Sequence, residues 1–278
     1  MILWYFKYLP FSILYLKSDI VKNFLQYIIR YRRSVVDSNL DRCFPKLSSH
    51  EKRKIISNIY KNISDILLEG LKGLSMSKEE ILNRYPYKNK RIIDEYLNKG
   101  KSVIVAPCHF ANWEWGVLAF GFNFPGKSIG IYKRINNPRI EKDMKARRAL
   151  SGIQLFSTEE TRMMIDEIPK GKLIVLMSDQ NPSNAKEAIW VKFMGQDTAC
   201  LHGMEKYAHR YELPVFFFDI HRTSRGNYLA EFILLEENIL QRTKGEITQE
   251  YMTKLEQTVK QNPGDWLWTH KRWKHQKP

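Results

Sequence analysis

The residues in this 278-residue chain that are best suited to chemistry are His109 and Glu114, within Pro-Cys-His-Phe-Ala-Asn-Trp-Glu at 107–114. On one straight helix, a separation of five residues turns two side chains about 140° apart, so they would not meet. The apolar run 102–106 predicts a strand before them, and Asn112 predicts a helix start. A chain that turns between the two elements brings the carboxylate to the imidazole. The carboxylate would fix the tautomer and leave the other ring nitrogen as a general base.

Two other interpretations of this segment stay open. The first is a loop histidine and a surface glutamate that share no contact, because short His/acid pairs are common by chance. The second is a nucleophilic Cys108 activated by His109, although neighbours on an extended chain tend to point apart. Trp113 and Trp115 flank the glutamate and favour a dry, aromatic wall around the pair.

The charge balance of the whole chain limits the classes of molecule that it is expected to bind. Lys and Arg number 45 against 30 Asp and Glu, which gives a net charge of +15. Such a surface favours nucleic acid, anionic lipid headgroups or an acidic protein. Aromatic residues make up 13%, with seven Trp, which is typical of proteins that meet lipid. Without a helix-turn-helix, zinc-finger or ribonucleoprotein-type motif, no nucleic-acid partner is predicted.

The order of elements predicts an α/β protein with a central, mostly parallel or mixed sheet flanked by helices. Residues 1–100 have helical spacing, and strands alternate with helices from residue 101 onward. Strands are predicted at 102–106, 128–132, 173–178, 214–220 and 228–235. Helices of this half are predicted at 112–122, 138–150, 159–167, 203–211 and 248–261. Residues 31–278 are predicted to form a single domain behind an N-terminal helical appendage, residues 1–30.

The N-terminal segment is the predicted membrane-contacting part. The run 1–16 is apolar except for Lys7, and charged residues interrupt it from Lys17 onward. Spanning a bilayer takes about 20 mostly apolar residues, so we expect helices lying in the membrane interface. The basic cluster at 30–33 would face the anionic cytoplasmic leaflet. The alternative is an ordinary first helix packed on the core.

Several sequence blocks, including the His-x-x-x-x-Glu segment, resemble those of one protein family, and together they extend over almost the whole chain. The family is that of the Kdo-dependent lipid A biosynthesis acyltransferases (HtrB/MsbB-type, lysophospholipid acyltransferases), and the wording is closest to a Bacteroidetes-like branch. The blocks are APCHFANWEW at 106–115, YRRSVVDSNLDRCFP at 31–45, YKRINNP at 132–138, SDQNP at 178–182, FMGQDTACLHGMEKYAHRYELPVFF at 193–217 and PGDWLWTHKRWK at 263–274.

The resemblance implies a glycerolipid acyltransferase-like fold and an O-acyltransferase at the cytoplasmic face of the bacterial inner membrane. The enzyme would move an acyl chain from a thioester of acyl carrier protein, or of coenzyme A, to a hydroxyl of a lipid A precursor, without a covalent intermediate. His109 would be the base, Glu114 would stabilise the imidazolium, and Arg148 would donate to the oxyanion. The same chemistry on an aminolipid, a glycosylated phospholipid or a pigment alcohol is the alternative.

Further residues are candidates for binding substrate. Segment 127–148 carries eight Lys and Arg against Glu141 and Asp143, which suits glycolipid phosphates or an acidic carrier, although such a run is also typical of a solvated helix face. Asp179 and Gln180 end a predicted strand, where α/β sheets usually place their sites. The substrate-binding candidates are Asn112, Trp113, Lys133, Arg134, Arg147, Asp179 and Gln180.

No metal and no cofactor are implied by the sequence. The histidines that lie outside the His-x-x-x-x-Glu segment form no cluster with ligand-like spacing, and the three cysteines are scattered without a Cys-x-x-Cys pair. Four residues near the C-terminus would cover the acyl site or lie at the lipid interface, with core packing as the alternative: Trp266, Trp268, Arg272 and Trp273.

Overall fold

The computed structural model describes residues 2–134 and 138–277, without the side chains of residues 2–4, 138–140, 143, 144 and 147. Its helices are α1 (Ile2–Tyr8), α2 (Phe11–Asn23), α3 (Arg33–Cys43), α4 (Ser49–Gly73), α5 (Lys78–Arg84), α6 (Arg91–Asn98), α7 (Trp113–Asn123), α8 (Pro138–Ala149), α9 (Thr161–Glu167), α10 (Gly203–Tyr211) and α11 (Glu246–Gln261). A π-helical segment, Phe24–Ile28, extends α2.

The strands are β1 (Val103–Ala106), β2 (Ser128–Tyr132), β3 (Gln154–Ser157), β4 (Leu173–Val175), β5 (Ile189–Phe193), β6 (Gln196–Cys200), β7 (Val215–Ser224) and β8 (Asn227–Glu236). In the described part, the main sheet has the order β3-β2-β4-β1-β7-β8. All its pairings are parallel except that of β7 with β8. The predicted α/β class with a mixed, mostly parallel sheet is confirmed.

The centre of the sheet explains where a site can form. β1 is buried along its whole length, as expected of a strand covered by helices on both faces. It runs parallel to β4, with Val105 opposite Val175. The chain therefore leaves both strands at the same edge of the sheet. His109 follows β1 at that edge, and Asp179 follows β4.

Local sequence signals mark the starts of two helices. Ser48 and Glu51 form a reciprocal capping box at the start of α4. The Asn112 side chain accepts a hydrogen bond from the Trp115 amide at the start of α7. A cap satisfies a backbone amide that has no partner within its own helix, so it marks the boundary without tertiary information.

The sequence analysis missed β3 and the β5–β6 hairpin. β3 is a four-residue edge strand with two of its residues poorly covered, so its periodicity is weak. In the hairpin, Met194 and Gly195 form the two-residue loop, both with positive φ. Glycine adopts that conformation readily, but methionine does so rarely, and the dipeptide is not a usual turn signal.

The N-terminal helices pack against the body of the protein along α4. The Lys72 ammonium donates to the carbonyl oxygens of Phe6 and Lys7 at the end of α1, at 2.9 and 3.0 Å. No helix among the described residues is long and apolar enough to cross a membrane. Outward-facing apolar side chains nevertheless lie close together along this segment: Tyr5, Tyr8, Ile13, Leu16, Ile20, Phe24, Tyr27, Ile28 and Ile29.

Candidate active site

The backbone around His109 is held by the C-terminal part of the chain. We call residues 109–111 the histidine turn. The amide of Leu267 donates to the carbonyl of His109 at 3.0 Å, and the amide of Ala111 donates to the carbonyl of Asp265 at 2.8 Å. Ala111 lies in the left-handed region with φ +48°, which an alanine adopts only when its surroundings impose it. Segment 265–267 thus fixes the path of the chain from β1 into α7.

A buried carboxylate orients the imidazole. The Nδ1–H of His109 donates to Asp179 Oδ1 at 2.7 Å, and the His109 amide donates to Oδ2 at 2.9 Å. The Trp266 indole also donates to Oδ2, at 3.1 Å. Burial raises the pKa of Asp179, but the charge of His109 and these hydrogen bonds outweigh burial and hold that pKa at about 2. Asp179 is therefore ionised at neutral pH.

The other ring nitrogen of His109 is available as a base. With the Nδ1 proton directed at Asp179, Nε2 carries the lone pair and accepts from the Gln180 amide, 3.2 Å away. Burial lowers the pKa of His109, but the charge and hydrogen bond of Asp179 and the charge of Glu114 raise it to a net value above the ordinary one. A more basic Nε2 is a stronger proton acceptor.

Glu114 does not occupy the position that the sequence analysis expected. Its Oε2 lies 2.7 Å from Arg148 Nη2, in an ion pair between the first turn of α7 and the last turn of α8. The Nδ1 of His109 is bonded to Asp179 instead. The reason is topological, because the end of β4 is adjacent to the end of β1, whereas Glu114 faces α8. Glu114 therefore acts on His109 through its charge.

Of the other predicted site residues, some contact His109 and others do not. Trp113 lies against the imidazole, with ring centroids 5.3 Å apart, and Gln180 contacts Nε2. Lys133 is exposed, and Arg134 lies 3.5 and 3.7 Å from the carboxylates of Glu159 and Glu160. The side chain of Arg147 lies outside the described residues.

Two of the substrate-binding candidates have structural partners instead. Asn112 is fully buried, and both ends of its amide are used within the protein. Asp179 is 2% exposed and has His109 and Trp266 as its partners. In the structure, both side chains are enclosed and bonded within the protein, and their binding of substrate stays an untested prediction.

Cys108 is not arranged as a nucleophile. Its side chain is fully buried, and burial raises the pKa of its thiol well above the ordinary value. A protonated, enclosed thiol can neither attack a carbonyl nor reach a substrate. The alternative of a Cys108–His109 pair is therefore excluded.

The C-terminal block makes contacts at the site that the sequence analysis did not predict. Trp266 and Trp268 are core residues, and Trp266 also contacts Asp179. The C-terminal block holds Asn181 through two hydrogen bonds. Arg272 Nη1 donates to the side-chain Oδ1 of Asn181 at 3.1 Å, and the backbone amide of Asn181 donates to His270 Nε2 at 3.3 Å. Burial and the charge of Arg272 lower the pKa of His270 to about 4, which keeps this imidazole a neutral acceptor. Gln180 is thereby placed beside His109.

Comparison with known proteins gives the family. The model of the family described as bacterial lipid A biosynthesis acyltransferase matches residues 1–275. The chain belongs to this family. It is therefore an O-acyltransferase, and the family expected from the sequence blocks is confirmed.

Curated relatives of this lipid A acyltransferase family member are distant. The lipid A biosynthesis lauroyltransferase of Escherichia coli K12 is 23% identical over 275 residues, which cover 98% of the chain and 89% of the relative. The palmitoleoyltransferase of the same strain is 20% identical over 274 residues, with the same coverage. A lipid A biosynthesis acyltransferase of Haemophilus influenzae is 22% identical over 169 residues, covering 61% of the chain and 53% of the relative.

Proposed function

We propose that this protein transfers an acyl chain from an acyl carrier protein thioester to a hydroxyl of a lipid A precursor, directly and without a covalent intermediate. The observation that carries the proposal is the His109–Asp179 pair, whose contacts leave Nε2 of a partly exposed imidazole as a proton acceptor. Family membership supports the acyl transfer and the type of acceptor. An alcohol is a poor nucleophile at neutral pH until such a base removes its proton.

The reaction would proceed in two steps. The acceptor hydroxyl displaces the Gln180 amide from Nε2, gives its proton to Nε2, and attacks the thioester carbonyl carbon. The carbonyl oxygen becomes the oxyanion of a tetrahedral intermediate. Collapse of the intermediate breaks the carbon–sulfur bond, and the imidazolium returns its proton to the departing thiolate. The ionised Asp179 stabilises the imidazolium between the two steps.

Arg148 is our candidate for the oxyanion donor. Its ion pair with Glu114 uses one Nη2 contact, and a guanidinium has five N–H donors in a fixed plane. Its side chain is 16% exposed, in a partly enclosed place where a donor acts more strongly than in water. Glu114 would thus hold Arg148 in place and raise the basicity of His109, two effects of a single carboxylate.

Exposed cationic residues that follow β2 support the binding of an anionic substrate or partner protein. Lys133 and Arg134 follow β2 and are exposed. We propose that they, with Arg147, meet the glycolipid phosphates or the acidic surface of the carrier protein. Coenzyme A, which also carries phosphates, is the other donor that fits this chemistry.

The outward-facing apolar side chains of α1, α2 and the π-helical segment support attachment to a lipid surface. Aromatic and aliphatic groups lie beside Lys7, Lys17 and Lys22 on the same helices. This combination is typical of helices that lie in a membrane interface. We therefore propose a peripheral position at the cytoplasmic face of the inner membrane, next to an anionic leaflet.

The function is tested by mass spectrometry. The purified protein is incubated with acyl carrier protein loaded with a fatty acyl thioester and a Kdo-bearing lipid A precursor, with coenzyme A thioester as the second arm. A mass gain of one acyl chain on the precursor is the expected result. If the thioester is consumed only upon addition of a total-lipid extract, the chemistry is right and the acceptor is another lipid alcohol. If neither precursor nor extract gains an acyl chain, the proposal fails.

Replacement of Glu114 by glutamine is expected to lower turnover on the order of 100-fold, because Arg148 loses its ionic partner and His109 loses a charge that raises its pKa. Glutamine keeps the length of the side chain, so the melting temperature should change little. Initial rates of acyl transfer measure the effect. Glu95→Gln, which removes a carboxylate from an exposed contact with Arg91, is the matched control. Wild-type turnover in Glu114→Gln would remove this pair from the mechanism.

Vesicle binding is expected to require anionic lipid and to weaken with salt, because lysines accompany the exposed apolar groups. Flotation with phosphatidylglycerol-containing and purely zwitterionic vesicles, at low and high salt, measures it. Leu16 and Ile20 on α2 are both more than 60% exposed, so Leu16→Ser with Ile20→Ser should weaken binding without unfolding the protein. Met163→Ser, at an exposed apolar residue on α9, is the control. Equal binding to zwitterionic vesicles at high salt would show hydrophobic insertion instead.

A further inference from the structure

A buried carboxylate outside the acid–base pair lies at the centre of a polar cluster. Glu69, in the last part of α4, is fully buried. Its Oε2 accepts from Asn112 Nδ2 and from the Tyr228 hydroxyl, both at 2.6 Å, and its Oε1 accepts from the Tyr15 hydroxyl at 2.9 Å. A buried carboxylate is costly unless its oxygens are satisfied in this way. The three donors come from three separate parts of the chain.

One of these donors connects Glu69 to the site. Asn112 donates a hydrogen bond from Nδ2 to Glu69. Its Oδ1 caps α7 by accepting from the Trp115 amide at 2.9 Å. The indole of Trp115 also donates to the carbonyl of Glu69, at 2.7 Å. The first turn of α7 is therefore attached to α4 through both the side chain and the backbone of Glu69. That turn carries Trp113 and Glu114, and the histidine turn precedes it.

The same cluster reaches the N-terminal helix α2. Besides the contact of Tyr15, the Ser18 hydroxyl donates to Asp65 Oδ1 at 2.6 Å, one turn before Glu69 on α4. Arg225 bridges Asp19 and Asp65 at 2.7 and 2.6 Å. The polar side of α2 is thus bonded to α4, while its opposite side exposes Leu16 and Ile20.

We infer that Glu69 is a positioning residue that sets the start of α7, and that the Tyr15 hydroxyl of α2 holds Glu69 in place for this task. The inference rests on the proposed function, because it assigns to α2 a part in acyl transfer that is separate from membrane attachment. A displaced α7 would move Glu114, and with it Arg148, away from the reacting carbonyl. It would leave the contact of Asp179 with His109 intact.

The test uses the full-length protein in detergent micelles, where attachment to a bilayer plays no part. With acyl carrier protein thioester and the Kdo-bearing precursor, Tyr15→Phe is expected to lower kcat about 10-fold and Glu69→Gln about 100-fold, because small displacements in a site cost such factors. KM should stay unchanged. The acid limb of the pH profile should move only slightly to lower pH, because Glu114 raises the pKa of His109 less than Asp179 does and the contact of Asp179 persists. Tyr96→Phe is the matched control and should keep wild-type kcat. It removes a Tyr–Glu hydrogen bond to Glu237 beside the starts of β1 and β7, at the edge of the sheet opposite the site.

Two further measurements separate positioning from general destabilisation. Hydrogen exchange at the Trp115 and Gly116 amides should accelerate in Tyr15→Phe and Glu69→Gln, while exchange in β1 and β7 should not change. Glu69→Gln added to Glu114→Gln should cause little further loss, since both act through the same ion pair. Unchanged exchange at α7, wild-type kcat in both variants, or a fully multiplicative double variant would overturn the inference.

Failure of the proposed function would look different. A wild-type protein that is inactive on the Kdo-bearing precursor would count against that acceptor, whereas the exchange measurement needs no substrate and still decides whether Tyr15 and Glu69 hold α7. Exchange that accelerates while kcat on any active acceptor stays at the wild-type value would overturn the catalytic part of the inference.

Discussion

Replacement of His109 by alanine is expected to lower the rate of acyl transfer on the order of 10³-fold or more, because the base for the acceptor hydroxyl and the acid for the departing thiolate are removed together. The backbone of residue 109 keeps its hydrogen bond to Asp179, and Trp266 keeps its own, so the variant should fold. Mass spectrometry of the acylated precursor, with the melting temperature measured beside it, tests both statements.

A second substitution at the same position controls for the buried charge. Alanine leaves Asp179 Oδ1 without its donor, which costs stability. His109→Asn supplies an amide that can donate to Oδ1 and has no equivalent of Nε2. It should be as inactive as alanine and more stable. His221→Ala, which removes the partly exposed partner of Asp219 at 3.0 Å, is the matched surface control. Substantial transfer by either His109 variant would show that another group is the base.

Replacement of Asp179 by asparagine is expected to lower kcat on the order of 10³- to 10⁴-fold through the tautomer of His109. The His109 amide and the Trp266 indole both donate to Oδ2, so an oxygen must stay at that position. The asparagine NH₂ group is then forced to face Nδ1. The imidazole must accept there and carry its proton on Nε2, where it cannot remove a proton from an alcohol.

The pH profile separates this mechanism from a loss of structure. His109 must be neutral to act, so wild-type kcat/KM rises with pH through the pKa of His109, which lies above its ordinary value. Asp179 is the chief cause of that increase, and burial acts in the opposite direction. In Asp179→Asn the remaining activity should therefore have its acid limb at lower pH. Asp197→Asn, at an exposed contact with Lys192, is the control. An unshifted limb with near-normal kcat would remove Asp179 from the site.

The sequence was sufficient to predict the part of the site that local signals determine. A buried strand, a turn and a capped helix bracket His109, and each is encoded within a few residues. Asp179 and Gln180 were predicted to belong to a site because they end a strand, where α/β sheets usually place their sites. In the structure, Asp179 rather than Glu114 contacts the imidazole of His109.

The remaining part depends on contacts that sequence spacing does not contain. Whether Glu114 or Asp179 meets the imidazole is decided by the pairing of β1 with β4, whose residues lie far apart in the chain. Glu69 lies on an amphipathic helix whose first turn carries the exposed Glu51, and the burial of Glu69 follows only from where α2, α7 and β8 pack. A signal did exist for the β5–β6 hairpin, in the β-branched and aromatic residues of Ile189–Phe193.

The pairing of the histidine turn with residues 265–267 has a consequence for biosynthesis. Residues 109–111 leave the ribosome long before their partners have been translated, and until then Ala111 has nothing to impose its left-handed conformation. The sheet can begin to assemble from β1, β2 and β4, but Asp179 gains its Trp266 contact only after residue 266 has been translated. Such distant contacts form late in folding. However early these three strands pair, the carboxylate beside His109 therefore acquires its full set of hydrogen-bond donors only after residues 265–267 have been translated.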